Sequence, residues 1–266
     1  MQKRKKLFIV TVILVMLFSL SACGQKQSAQ GETSGGSGTG KDETSSGKPS
    51  NDTESSESGE NGSTQTADPD AEKYAAVLDK YYEALKEQQG EGKLLENGLS
   101  TLCTYCYEGN AMKNVGYALL DLTGDGEPEL LIGAISGDDY VENMVFDMYT
   151  IVDGTPVQLF VGRERNGYYI CKEEAGVYII ENKASSGATQ KVWHYFSIET
   201  DRLNIVQGIV YDAASHPDAP WFMTYDTDWD TGNDTPVDED MANSIINSYE
   251  ARYMMPEYTA FENYKR

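Results

Sequence analysis

The spacing of apolar residues changes character several times along this chain, and each change marks a different kind of structure. Leu7 to Phe18 is an apolar run. From Gly24 to Asp70 apolar positions almost vanish, with only Ala29 and Ala67 among Ser, Gly, Thr, Glu, Asn and Gln, and no aromatic residue. Helical spacing then sets in with Tyr74, Val77, Leu78, Tyr81 and Leu85. Asp68-Pro69-Asp70 should open this helix, Asp68 as its cap and Pro69 in its first turn, and Gly90 should stop it. A second helix is expected from Lys93 to about Tyr107, with Leu95, Leu99, Leu102, Cys103 and Cys106 as its buried stripe and Gly98 as its weak point.

From Gly116 the period shortens to that of strands. Tyr117 to Leu122, Glu129 to Ala134, Met144 to Val152 and Pro156 to Val161 form one block of four. Tyr168 to Cys171, Gly176 to Asn182, Gln190 to Ile198 and Arg202 to Tyr211 form another. Turn signals such as Asp153-Gly154 and Ser186-Gly187 separate them. A last helix should run from about Asp238 to Tyr253, started by Thr235-Pro236 or by Asp238. Met241, Ile245, Tyr249 and Tyr253 would lie on one face, flanked by Ala242 and Ile246. The expected fold class is α+β: a predominantly antiparallel β-meander of about eight strands, with two N-terminal helices and one C-terminal helix packed on it. Two four-strand blocks are too few to close a propeller.

The opening residues carry an address. Lys3, Arg4, Lys5 and Lys6 form a basic head, the apolar run follows, and Ser19 to Ala22 supply small residues before Cys23. That order is the pattern of a secretory signal peptide, and the run is too short for a comfortable bilayer span of about 20 residues. Leu20-Ser21-Ala22-Cys23 resembles the lipobox of bacterial lipoproteins. The resemblance implies diacylation of the Cys23 thiol, cleavage after Ala22 and a lipid anchor on the extracytoplasmic face of the cell membrane. Two acyl chains anchor stably where one does not. A plain signal peptide or short uncleaved anchor is the alternative. Residues 23–70 then read as the lipidated Cys and a disordered tether, because the stretch cannot bury enough surface to offset its ordering entropy. Its r.m.s. reach is about 40 Å, and at full extension it spans roughly 160 Å. Such tethers resemble those of lipoproteins from bacteria with one membrane and a thick wall. Residues 71–266 are left as a single extracytoplasmic domain.

Charge narrows the partners. Without residues 1–22 the chain keeps 17 basic against 43 acidic side chains, a formal charge of −26. Nucleic acid and anionic lipid surfaces should repel it. Solubility alone would also account for the charge. Cys103, Cys106 and Cys171 remain after Cys23, and an odd count leaves at least one thiol unpaired. Cys103-Thr104-Tyr105-Cys106 lacks the helix-opening βαβ setting of a redox pair, and no second pair follows at zinc spacing. All three read as core cysteines.

One loop carries chemistry. Asp121-Leu122-Thr123-Gly124-Asp125-Gly126-Glu127-Pro128-Glu129 places oxygen side chains at alternate positions between two apolar strands. Calcium takes six to eight oxygens, and a Gly at the sixth position lets a backbone carbonyl, here that of Glu127, join them. Tyr117 to Gly133 resembles the calcium loops of FG-GAP and VCBS-type repeats. Asp121, Asp125 and Gly126 match their pattern directly, while Thr123 and Glu129 depart from the usual Asp or Asn and Asp. The resemblance implies a structural calcium held by Asp121, Thr123, Asp125, Glu127 and Glu129. The metal-free alternative is a hairpin turn whose aspartates bond to backbone amides. Asp226, Asp228 and Asp230, followed by Asn233 and Asp234, make a candidate second ligand site near Trp221, Phe222 and Trp229. Its Gly232 comes one position late for the same loop design. Aromatics beside carboxylates suit a sugar or a cation, and fill cores equally well.

His194, in a strand with Trp193 and Tyr195, reads as structural, and His216 precedes Pro217 in a loop. No G-x-S-x-G or H-E-x-x-H signature occurs. The expectation is a membrane-anchored lipoprotein with a non-catalytic binding or interaction domain. Its partners would be the membrane through the anchor and a cell-wall or extracellular glycan or protein. The alternative is a glycan-active cell-surface hydrolase using paired carboxylates, betrayed by a cleft with two facing carboxylates of raised pKa.

Overall fold

A computed structural model describes residues 69–266. The leader, Cys23, the tether and the Asp68 cap lie outside the described residues. Those described belong to one compact unit. Five α-helices and eleven strands follow in order: α1 (Pro69–Lys73), α2 (Ala75–Lys86), α3 (Glu91–Glu96), α4 (Ala111–Asn114), β1 (Val115–Leu120), β2 (Glu129–Ala134), β3 (Val145–Val152), β4 (Thr155–Val161), β5 (Asn166–Lys172), β6 (Tyr178–Ser185), β7 (Gln190–Glu199), β8 (Arg202–Asp212), β9 (Trp221–Thr224), β10 (Thr235–Pro236), α5 (Glu239–Glu250) and β11 (Thr259–Ala260).

All strand pairs are antiparallel, and consecutive hairpins build most of the sheet, as short polar turns require. The sheet forks at β3. Along Asp147 to Val152 its free side pairs with β4, while at Val145 the same side pairs with Tyr168 of β5. The first block, β1–β4, is thus joined to the second, β5–β10, and β11 closes the outer side of β1. The α+β class and the antiparallel sheet agree with the sequence. The strand number does not: eleven strands form rather than eight, because β9, β10 and β11 are too short to show a period.

Alternation divides the core into layers. Leu130, Ile132 and Ala134 of β2 face the N-terminal helices, where Tyr74, Leu78, Tyr81 and Leu85 bury their side chains against Phe261. Leu131 points the other way and joins Val145, Met148, Phe160, Ile170, Ile180 and Phe196. α5 covers the far face of β6–β8 through Ala242, Ile246 and Tyr249, packed on Ile209, Ile179 and Tyr195. Asp238 caps α5, its Oδ1 accepting from Met241 N at 2.7 Å.

Three helix details depart from the sequence reading. The first helix breaks at Tyr74, whose hydroxyl donates to Pro128 O at 2.8 Å across the fold, and its end turns at Gln88, in the left-handed region, two residues before Gly90. The second splits at Gly98, φ +73°, into α3 and a tight turn over Thr101–Cys106. That rotation buries Leu94 and leaves Leu95 51% exposed, so Leu95 is not part of the stripe. On α5 Tyr249 is buried and Ile245 and Tyr253 pack beside it as expected, with the flanking Ala242 and Ile246 also buried, but Met241 is exposed and is not part of the face.

Candidate functional site

A cavity of about 550 Å³ opens on the face of β5–β7 opposite α5. Strand alternation selects its walls. Asn166 and Tyr168 of β5, Asn182 and Ala184 of β6, and His194 and Phe196 of β7 share that face, while Tyr169, Glu181 and Tyr195 point toward α5 and its C-terminal turn. The register places them in rows. Tyr168 lies opposite Asn182, Asn182 opposite His194, His194 opposite Gly208, and Gly208 opposite Thr224. One cross-strand row therefore runs through five strands with an amide, an imidazole and two hydroxyls in it.

Each member is held. Asn182 Nδ2 donates to Asn166 Oδ1 at 2.6 Å and to Gly167 O at 3.2 Å. The Tyr168 ring stacks on Phe160 with centroids 4.0 Å apart. The His194 ring lies over Gly208, where a Cβ would stand 2.7 Å from His194 Cδ2. His194 is 3% exposed, and its Nε2 has no partner. Such a buried group costs about 1–3 kcal/mol when left unpaired. Burial lowers its pKa, against an opposing pull from Asp226 and Asp228, and keeps the ring neutral at pH 7. From its strand setting alone His194 reads as structural. The signals available were a histidine and Asn182 among apolar strand residues, and a glycine inside a strand, which marks a close approach.

Glu164, Arg165, Ser185 and Ser186 extend the wall on one side and the acidic loop on another. Thr227 and Trp229 line the cavity, and Asp226, Asp228 and Asp230, which alternate with them, do not. Their side chains hold the loop instead. Asp226 Oδ1 accepts from Asp228 N at 3.3 Å, Asp228 Oδ1 from Asp230 N at 2.9 Å, and Asp230 Oδ1 from Gly232 N at 3.0 Å. This ladder of Asx turns fixes a backbone that would otherwise be loose. It presents Thr227 and Trp229 on the alternate side. Of the other two aromatics, Trp221 packs near Trp193, and Phe222 is buried with Val192 and Val210.

The Asp121–Glu129 loop lies in the β1–β2 hairpin. Gly124 and Gly126 take φ of +76° and +90°, the left-handed turns that glycine permits. Asp121 accepts from Gly124 N at 2.7 Å and from Gly126 N at 2.9 Å, and Asp125 from Glu127 N at 2.9 Å. Despite some desolvation, these amides hold the Asp121 carboxyl below its ordinary range. Glu127 pairs with Lys73 at 2.6 Å. Glu129 is buried beneath the turn, where its Oε2 accepts from Leu122 N at 2.8 Å and its Oε1 from Thr150 at 3.4 Å. The donors are hard oxygens, as calcium prefers, and a carboxylate with two amide bonds still has lone pairs to offer. Among the described residues, however, no three His, Cys, Asp or Glu side chains are gathered to hold a metal ion. An ion would have to draw Asp121, Thr123 and Asp125 together with the Glu127 carbonyl, leaving Glu129 below.

Among the described residues four carboxylates have a raised pKa, and none of them lines the cavity. Burial pushes Glu129 and Glu181 each to about 7, Asp147 well above its usual range, and Asp234, beside the acidic loop, upward. Glu181 accepts from Tyr253 beneath the α5 turn, and Asp147 accepts from Tyr81 and from Gln158 Nε2. The cavity wall itself contains one carboxylate, Glu164, beside Arg165. The thiols of Cys103, Cys106 and Cys171 are free and buried, and burial pushes those of Cys106 and Cys171 up to about 12. His216 contacts Thr231 at 3.0 Å, outside the cavity. No described helix is long and apolar enough to cross a membrane. Compared with protein-family models, curated proteins and solved structures, the chain matches none.

Proposed function

We propose that this chain is a membrane-anchored extracytoplasmic lipoprotein whose folded part is a non-catalytic binding domain, with the cavity over β5–β7 as its site. Its address rests on the basic head, the apolar run and Leu20-Ser21-Ala22-Cys23. A doubly acylated Cys23 would hold the domain at the membrane, and the polar tether would let it reach outward. The binding part is carried by one observation: a cross-strand row containing Asn182 and His194 beside a cavity. Asn182 is paired with Asn166 and Gly167, but the buried His194 Nε2 beside it has no partner, and a buried polar group costs stability unless something pairs with it. The partner is a wall or extracellular glycan or protein. Calcium belongs to this reading as a stabiliser of the Asp121–Glu129 turn, with affinity in the range of about 10⁻⁴ to 10⁻³ M known for extracellular modules. A glycan hydrolase would need a second carboxylate facing Glu164 across the cavity, and none lines it.

The test uses the full mature lipoprotein in detergent as bait for an envelope extract, with and without a chelator. Wild type should retain a component that a Trp229→Ala variant does not, and intact-mass analysis should find two acyl chains on Cys23. Retention indifferent to Trp229, or cleavage of wall glycan, overturns the binding assignment. An unmodified Cys23 thiol overturns the address.

A further inference from the structure

We propose that the cavity binds a neutral, hydroxyl-rich ligand: a sugar unit of a cell-envelope glycan. This inference rests on the binding reading above and names its ligand class.

The wall chemistry selects that class. Trp229, Tyr168 and Phe196 line it with aromatic surface, Tyr168 having one ring face already stacked on Phe160. Sugar rings present apolar C–H patches that lie on aromatic faces, and their hydroxyls ring the edge. Thr227 supplies a hydroxyl and Asn166 an amide that both donate and accept, while Asn182, whose Nδ2 already donates to Asn166 and Gly167, offers its Oδ1 as an acceptor. A hydroxyl has the same dual capacity, so it can meet such groups in either sense. His194 adds an independent sign. It is nine-tenths and more buried, it stands in the cavity wall, and its Nε2 lacks a partner. A neutral imidazole nitrogen needs a neutral donor or acceptor, which a hydroxyl provides in either tautomer. The volume lies within the ~300–1,000 Å³ typical of small-molecule sites and suits a short oligosaccharide.

Charged ligands fit less well. The chain's acidity repels anions. A cation would look for exposed carboxylate in the wall. There Glu164 stands beside Arg165, while Asp226, Asp228 and Asp230 are not part of the lining and hold backbone amides.

The experiment follows Trp fluorescence and isothermal titration of the full mature chain. The probes are neutral hexose and N-acetylhexosamine oligosaccharides, with tetramethylammonium and a basic peptide as charged probes. At least one neutral oligosaccharide should bind, and raising salt to 0.5 M, about a threefold rise over physiological strength, should leave its Kd unchanged. Trp229→Ala should weaken it roughly tenfold or more. Asn182→Leu should weaken it as well. Tyr225→Ala, an exposed neighbour outside the cavity, should have no effect. Unchanged melting of Trp229→Ala would show that the loss is one of contact. If only the charged probes bind, and Trp229→Ala abolishes that binding, the sugar assignment falls and the binding site stands. If neither the oligosaccharides nor any envelope component binds, both fall. Sugar binding indifferent to Trp229 and Asn182 overturns the placement.

Discussion

Gly208→Ala tests whether the row beneath the cavity is as tightly fitted as it stands. The added Cβ would lie 2.7 Å from His194 Cδ2, 2.8 Å from Thr224 Cγ2 and 3.1 Å from Trp193 O. Carbon atoms rest at about 3.5–4.0 Å, so the two carbon neighbours would have to retreat by most of an ångström, and the carbonyl oxygen by less. Neither can do so cheaply. His194 is 3% exposed and Thr224 1% exposed, and the third contact is backbone. Overpacking of this kind costs about 1–3 kcal/mol. Alanine also stiffens the unfolded chain, which returns about 0.4–1 kcal/mol. The net expectation is a loss of about 1–2 kcal/mol. For a domain of this size, that lowers Tm by about 2–8 °C.

Calorimetry or thermal circular dichroism of the full chain measures the loss, and a cycle with Thr224→Ser locates it. Serine removes the Cγ2 methyl, so part of the cost of Gly208→Ala should disappear in the double variant. The two substitutions should therefore fall short of additivity by about 0.5 kcal/mol or more, as contacting residues do. The single variant should also weaken binding at the cavity, because the imidazole is what the new methyl displaces. A Tm that stays put or rises, with strict additivity in the cycle, would refute both the register and the packing argued from it.

Two further predictions concern ionisation and ions. Glu181 is fully buried, with a pKa of about 7 against an ordinary value of 4.5. Its native form holds a proton that the unfolded form releases first. Its contribution is therefore complete below about pH 4.5 and is lost as pH rises through about 7, amounting to about 3 kcal/mol at most. In Glu181→Gln the wild-type fall in stability between those pH values should flatten, and a denaturant series at pH 4.5, 6 and 8 reads it; an unaltered slope contradicts the assignment. Calcium at about 5 mM, above the expected dissociation constant, should raise the melting midpoint by a few degrees, and Asp125→Ala should remove the effect. A midpoint indifferent to calcium and to that substitution removes the ion from the account.

Much of the framework could be read along the chain. Glu129 to Ala134 forms a strand with those same ends, because the Gly-Asp-Gly turn and Glu129 precede the apolar run and Ser136-Gly137-Asp138 follows it. The other seven expected strands appear within a few residues of their places. The helices were harder. Helical spacing can place Leu94 or Leu95 on the buried face, and only the turn at Gly98 decides between them. The site was half visible. Asp226, Asp228, Asp230 and Trp229 stood out as acids beside an aromatic, but their neighbours did not. Tyr168, Asn182, His194 and Gly208 are scattered over forty positions, and only hairpin register sets them side by side. Register depends on turn length and bulges, including the one between Tyr195 and Phe196, and a single-residue slip would send every one of them to the α5 face.

The two acidic loops show why sequence pattern alone overstates a ligand. In both, aspartates alternate with other residues, and in both, the carboxylates accept from amides two to five positions ahead. A glycine-containing turn leaves several N–H groups facing outward with no strand to take them. A short carboxylate meets that need with a charge-assisted bond, and it does so whether or not a cation is near. The loops then differ in what their alternate positions hold. Beside Asp121 and Asp125 stand Thr123 and the Glu127 carbonyl, oxygens that a cation could recruit. Beside Asp226, Asp228 and Asp230 stand Thr227 and Trp229, which face the cavity. The same backbone device thus leaves one turn with oxygens between its aspartates and the other with a hydroxyl and an indole that line the cavity, and the residues between the aspartates make the difference.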